Sequence, residues 1–329
     1  MANDWVLVAT LPESEPRIMA IGREPRPLSP LKQLRGATRE PIVEAITTAY
    51  TSKEPYHKVS RGSQVIAEPF LTPQDIVTGV QAWAGKPEDA LPDRLPAGAW
   101  VWDIDAGTCL CSPQIHEVYK MPPERALTEI TRAQSMFGVT LTADEQGKAL
   151  QAALSGEVGL ELNRRWKIER YDGRLRQMHF SARLTMDRDG RKWLHGITQD
   201  VTEGDSVEPD PLTLEAAGWE AARAAEAGAF SAHVDLRTKT VVRWFGTMLP
   251  GAQCEMTGHE ERDPAIHPED IATANALAHR ARTHRVEGSI RVRDIHGGWM
   301  RLDLVGVPIV LDPGKAPITA LVKLRIARD

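Results

Sequence analysis

The chain has 329 residues, 42% of them hydrophobic, and its 40 basic and 45 acidic side chains leave a net charge of −5. At about 150 residues per domain, that length implies two or three domains. The charges are spread along the chain, which excludes a basic field for nucleic acid or anionic lipid, and the composition excludes a largely disordered protein.

Cys109, Cys111 and Cys254 are too few for a disulfide framework and fit a reducing cytosol. The apolar run 5–10 is too short for a signal peptide. No segment reaches the roughly 20 apolar residues of a membrane helix, so a cytoplasmic protein without membrane insertion is expected.

In chain order, strands are predicted over 5–11 and 17–22, a helix over 39–52 opening at Glu40-Pro41, and strands over 56–60, 64–70 and 76–83. Residues 85–96 hold three prolines among charges and read as a linker. So does the acidic stretch 204–211, where Pro209 and Pro211 stop any helix or strand. These linkers divide the chain into domains at 1–88, 95–203 and 212–329.

The second and third pieces repeat one plan. Ala97-Gly-Ala-Trp100 and Ala227-Gly-Ala-Phe230 open them, each leading into a short strand and a turn. A longer helix follows at 142–154 in one and 268–282 in the other, the first behind a Thr142-Ala-Asp-Glu145 capping box, the second with Pro268 at its first position. Three strands close each piece, at 160–170, 175–186 and 192–202, then at 287–294, 299–311 and 318–326. Turns at Gly173, Gly190, Gly297 and Gly314 make these antiparallel hairpins. Val77-Thr-Gly-Val80 parallels Leu194-His-Gly-Ile197 at the centre of the last strand, so the first piece reads as an eroded third copy.

Several words in this order resemble the PAS sensor family. Gly98-Ala-Trp-Val-Trp-Asp103 is similar to its first strand, and Cys111-Ser-Pro-Gln-Ile-His116 to its second strand entering the first helix. Tyr119-Lys-Met-Pro-Pro-Glu124 resembles a turn common in the family, and Ile266-His-Pro-Glu-Asp-Ile271 the opening of its longer helix. Trp193-Leu-His-Gly-Ile-Thr-Gln-Asp-Val-Thr-Glu203 is similar to its closing strand.

The resemblance covers about 70% of the chain. It implies an α+β fold of three consecutive PAS/GAF-like domains, each a five-stranded antiparallel sheet flanked by short helices. As a whole the chain resembles actinobacterial (mycobacterial) triple sensor-domain proteins with a PAS/GAF-like first domain and no output domain.

No phosphate-binding glycine loop, nucleophile elbow or H-E-x-x-H occurs, so no enzymatic activity is expected. Six of the ten histidines lie between His233 and His296, without the spacing of a metal site. The resemblance also raises flavin and haem. Cys254 lacks the surroundings of a photosensory cysteine, and His116 is the one haem candidate in the second piece, so no cofactor is expected.

The aromatic residues point instead to an apolar pocket. Trp100, Trp102, Tyr119, Phe137 and Trp166 are expected on the concave face of one sheet, with Arg165 or His179 as polar partners. Phe230, Trp244, Phe245 and Trp299 are expected on the concave face of the next. Equally, such aromatics are ordinary core.

Leu214, Ala217, Gly218, Ala221 and Ala225 form a small-residue stripe on a helix expected over 212–228, suited to a homodimer or to its own sheet. The expected function is a sensor that binds a small apolar ligand and signals to a separate effector protein. The alternative is a ligand-free interaction scaffold.

Overall fold

The structure, a computed structural model, describes residues 4–36, 38–60, 62–121, 131–132, 156–207, 228–245, 247–254, 260–309 and 317–327. The stretches 142–154 and 212–227, Phe137 and Gly314 lie outside the described residues. The described elements form three antiparallel sheets accompanied by few helices, an α+β architecture.

The first sheet comprises β1 (Val6–Ala9), β2 (Arg17–Ile21), β3 (Glu24–Pro30), β4 (Tyr56–Ser60), β5 (Ser63–Leu71) and β6 (Val77–Gly85), in the order β3-β2-β1-β6-β5-β4. Between β3 and β4 runs α1 (Arg39–Ser52). Its buried residues Ile42, Ala45, Ile46 and Ala49 follow helical spacing and pack on Val6, Val8, Val65 and Val80. The helix ends at Lys53, whose left-handed backbone lets its N–H donate to Ala49 O at 2.9 Å.

The second sheet comprises β7 (Ala97–Asp103), β8 (Thr108–Cys111), β9 (Thr131–Arg132), β10 (Glu161–Glu169), β11 (Leu175–Met186) and β12 (Lys192–Asp200). Its order is β10-β11-β12-β7-β8-β9, and α2 (Ile115–Tyr119) follows β8. The third comprises β13 (Ala229–Asp235), β14 (Thr240–Phe245), β15 (Val286–Arg293), β16 (Trp299–Ile309) and β17 (Thr319–Ile326), ordered β14-β13-β17-β16-β15. α3 (Ile271–Arg280) precedes β15. In every sheet the first strand pairs antiparallel with the last: β1 with β6, β7 with β12, β13 with β17. The repeat seen in the sequence is therefore a repeat of topology.

Five strands per sheet were expected; the first two sheets have six. The extra strand β3, Glu-Pro-Arg-Pro-Leu-Ser-Pro, carries three prolines and survives because it lies at a sheet edge, where a missing N–H breaks no ladder. The other addition, β9, is two residues long and pairs with β8 at the corresponding edge of the second sheet.

The three sheets fall into two compact units. One holds residues 1–104, 110–128 and 139–209, and so the first sheet and most of the second; the other holds 105–109, 129–138 and 210–329. Within the first unit the two sheets share a core in which Leu7, Met19 and Phe70 pack with Ala97, Ala99 and Ile197. All nine residues of β6 and all seven of β7 are buried, as expected of strands covered on both faces.

Polar contacts fasten this interface. Thr78 Oγ1 donates to Gly196 O at 3.1 Å, Arg17 pairs with Glu161 at 3.0 Å, and Asn163 Nδ2 donates to Arg26 O at 3.0 Å.

The stretch 85–96, expected as a linker, is fixed in place. Trp5 Nε1 donates to Pro92 O at 3.0 Å, Arg94 Nε donates to Gln81 Oε1 at 2.7 Å, and the Arg94 guanidinium pairs with Glu68. Among the described residues no helix is long and apolar enough to cross a membrane.

Candidate functional site

In the third sheet, alternation places Phe230, Ala232, Val322, Leu324, Leu302 and Leu304 on one face. A shift of register between His233 and Val234 twists the β13–β14 hairpin locally. α3 covers this face through Ala274, Leu277 and Ala278. Leu277 rests on bare backbone: a Cβ on Gly288 would stand 2.7 Å from its Cδ1.

The start of α3 is clamped to β15. Arg291 donates to Asp270 from Nε (2.9 Å), from Nη2 (2.9 Å) and from its backbone N–H (2.7 Å), and reaches Glu269 Oε2 at 2.8 Å. The Arg291 hydrogen bonds and charge hold the Asp270 carboxyl down at about 2 and keep Glu269 below the usual carboxylate range. His267 caps the short 3-10 turn before the helix, its Nδ1 accepting from Glu269 N–H at 3.3 Å.

Between α3 and the sheet lies a cavity of about 480 Å³, within the range of small-molecule sites. Its existence follows from side-chain size. The helix presents alanines where α1 presents Ile42 and Ile46 to the first sheet, and Gly306 adds no side chain to the sheet wall. Val241, Trp244, Ile290, Leu302 and Leu324 form apolar walls, while Thr238, Lys239, Thr240, Gln253 and Cys254 supply the polar part of the lining. Among the described residues that line it, Lys239 is the one with a formal charge. The Trp244 indole N–H is buried without a hydrogen-bond partner among the described residues. Such a lining can hold and orient an apolar body.

Of the aromatic residues singled out in the sequence, Trp244 lines this cavity. Phe230 packs against the surrounding core but is outside the lining. Trp299 pairs with Arg293 on the opposite parity from Met300 and Leu302; it is 37% exposed, against His267 (4.7 Å between ring centroids) and under the Arg293 guanidinium (5.2 Å). Phe245 likewise has the opposite parity from Trp244.

In the second sheet, Trp100, Trp102 and Trp166 do share one face and are buried. Trp100 covers Gly196 and donates from Nε1 to Thr198 Oγ1 at 2.9 Å; Trp166 stacks on Phe180 with centroids 4.3 Å apart. Tyr119 is buried at the end of α2, its carbonyl accepting from Tyr171 N–H at 3.1 Å. Phe137 lies outside the described residues.

His179 and Arg165 were expected beside these rings but pair with each other on the other face of the sheet. There His179 Nε2 lies 2.6 Å from Asn163 Oδ1. Burial, with repulsion from Arg165, lowers the His179 pKa to about 4, and burial alone lowers that of His195 to about 4. Both rings are neutral near pH 7.

Sequence reasoning did not single out Lys239, Thr238 or Gln253. They sit in turns and loops without hydrophobic periodicity, and the one local signal was a lysine closing the turn after Asp235. Among the described residues, no group of three metal-capable side chains comes together.

The family model described as "Rv3651-like, N-terminal" matches residues 4–93. The whole chain is similar in structure to an uncharacterized protein from Mycobacterium tuberculosis, with a TM-score of 0.81 at 21% identity, covering 100% of this chain and 97% of that one. The two share a fold. A sensory box histidine kinase/response regulator from Burkholderia thailandensis (17% identity, 40% of this chain and 88% of that one) and a PAS domain from Haloarcula marismortui (18%, 32% and 81%) overlap with TM-scores of 0.25, too slight to define the fold. No curated protein matches the sequence.

Proposed function

We propose that the chain is a cytosolic, non-enzymatic sensor of three PAS/GAF-like domains, one per sheet. In this reading the third domain binds a small apolar ligand and reports its occupancy to a separate effector protein. The observation that carries it is the cavity of about 480 Å³ with apolar walls and a polar rim.

Occupancy would act through α3, which meets the sheet by small side chains and by the clamp between Asp270 and Arg291. A ligand can shift such an equilibrium only by its differential affinity for the two states, commonly about 1–3 kcal/mol. The net charge of −5 speaks against nucleic acid as a partner.

The test is titration of the full-length protein with a neutral naphthylamine dye that fluoresces in apolar surroundings. One dye bound per wild-type chain, and none by folded A278F, supports the reading; no saturable binding removes it.

A ligand-free scaffold is the second reading, and it draws on the first unit. There β6 and β7 are buried on both faces and α1 fills the other side of the first sheet.

A further inference from the structure

We propose that the ligand of this cavity carries one anionic head, a carboxylate on an apolar chain or ring, and that Lys239 holds it. The proposal rests on the ligand-binding reading above and specifies its chemistry.

The first observation is charge. Lys239 is the one charged side chain in the described lining, and it has no ion-pair partner among the described residues. The anion nearest in sequence, Asp235, is already taken: Arg237 grips both its oxygens, Nε to Oδ1 at 3.2 Å and Nη2 to Oδ2 at 2.8 Å. Among the described residues, Lys239 Nζ has a single long contact, 3.4 Å to Arg237 O, so donors of its ammonium remain for a ligand.

The second observation is backbone. Lys239 has φ +58° at the fourth position of the four-residue turn between β13 and β14. The turn between β7 and β8 has the same length and the same left-handed fourth position, filled there by Gly107 with φ +70°. Glycine takes this conformation freely and lysine does not, so the third domain keeps a residue its turn disfavours at the rim of its cavity.

The remaining lining chooses among anions. A phosphate ordinarily gathers several donors, an arginine fork or a helix N-terminus. This lining offers one ammonium and the Thr238 and Thr240 hydroxyls, which lie 2.7 Å apart and already share one hydrogen bond, enough for a monovalent carboxylate whose tail fills the apolar volume.

The experiment is calorimetric titration of full-length protein with dodecanoate and with dodecanol, monomeric and well above the carboxylate titration range, in wild type, K239M and K239G. Wild type is expected to prefer dodecanoate by about tenfold, and both variants to lose that preference while keeping their affinity for dodecanol. K239G restores the residue the turn favours, so it separates a lost charge from a damaged fold. Equal affinity for the two ligands in wild type, or a preference that survives in both variants, overturns the proposal and leaves the apolar site standing. Failure of dodecanol, dodecanoate and the neutral dye alike to bind overturns the proposal together with the reading beneath it.

Discussion

Ile197 of β12 sits directly over Gly79 of β6: a Cβ at position 79 would lie 2.0 Å from Ile197 Cδ1 and 3.2 Å from Val8 O. Both residues lie in the last strand of their sheet, Gly79 third in β6 and Ile197 sixth in β12, and the glycine makes room for the isoleucine that joins the two sheets. G79A is expected to force these sheets apart and destabilise the first unit by about 1–3 kcal/mol, the usual cost of overpacking. Urea denaturation of G79A, I197A and the double variant checks it. The two changes should couple, with G79A costing much less once Ile197 is shortened.

The buried histidines make the first unit sensitive to acid. His179 and His195 titrate near 4 in the fold but near 6.5 when unfolded. Between those values the unfolded chain binds more protons, so stability is full above about pH 6.5 and falls until about pH 4. The loss is at most about 3.5 kcal/mol per histidine, since each tenfold difference in proton affinity between folded and unfolded chain is worth about 1.4 kcal/mol. Urea midpoints at a series of pH values should show this slope, and H195Q should flatten part of it.

Asp270 behaves oppositely. Its carboxyl is held at about 2 by Arg291, so its contribution is full above the ordinary carboxylate range and disappears as pH falls from about 4 through about 2. D270N should loosen the start of α3 at neutral pH. Amide hydrogen exchange should quicken at the beginning of that helix while α1, in the other unit, keeps its rate.

K239G should leave the fold intact. Relief of the left-handed strain, about 1–2 kcal/mol, is offset by glycine's extra chain entropy, about 0.5–1 kcal/mol. The variant is expected to be between neutral and about 1.5 kcal/mol more stable by urea denaturation. A clear loss of stability would mean that the side chain has structural partners.

Much of the fold was legible in the sequence because its strands alternate and their turns use glycine. Gly173, Gly190 and Gly297 all take the positive φ expected of hairpin turns, and α1 spans the residues 39–52 expected of a helix opening at Glu40-Pro41. β3 was not legible, since three prolines argue against a strand except at an edge, and edge position is a tertiary fact. The site was legible only in part. Trp299 and His179 each sit one residue from the parity that faces the helices, and a one-residue error in a strand inverts the face. The cavity itself arises from what is missing, alanines and glycine opposite one another, and from lysine in a turn, neither of which leaves a periodic signal.

Occupancy of the cavity beneath α3 by a small apolar ligand is tested most directly by native mass spectrometry of the untagged full-length protein. The comparison is with A278F, which fills that space. Additional mass is expected on the wild-type protein, departing on denaturation and missing from folded A278F. A bare wild-type mass that stays bare after incubation with dodecanoate and dodecanol, or an adduct retained equally by A278F, would contradict a ligand site there.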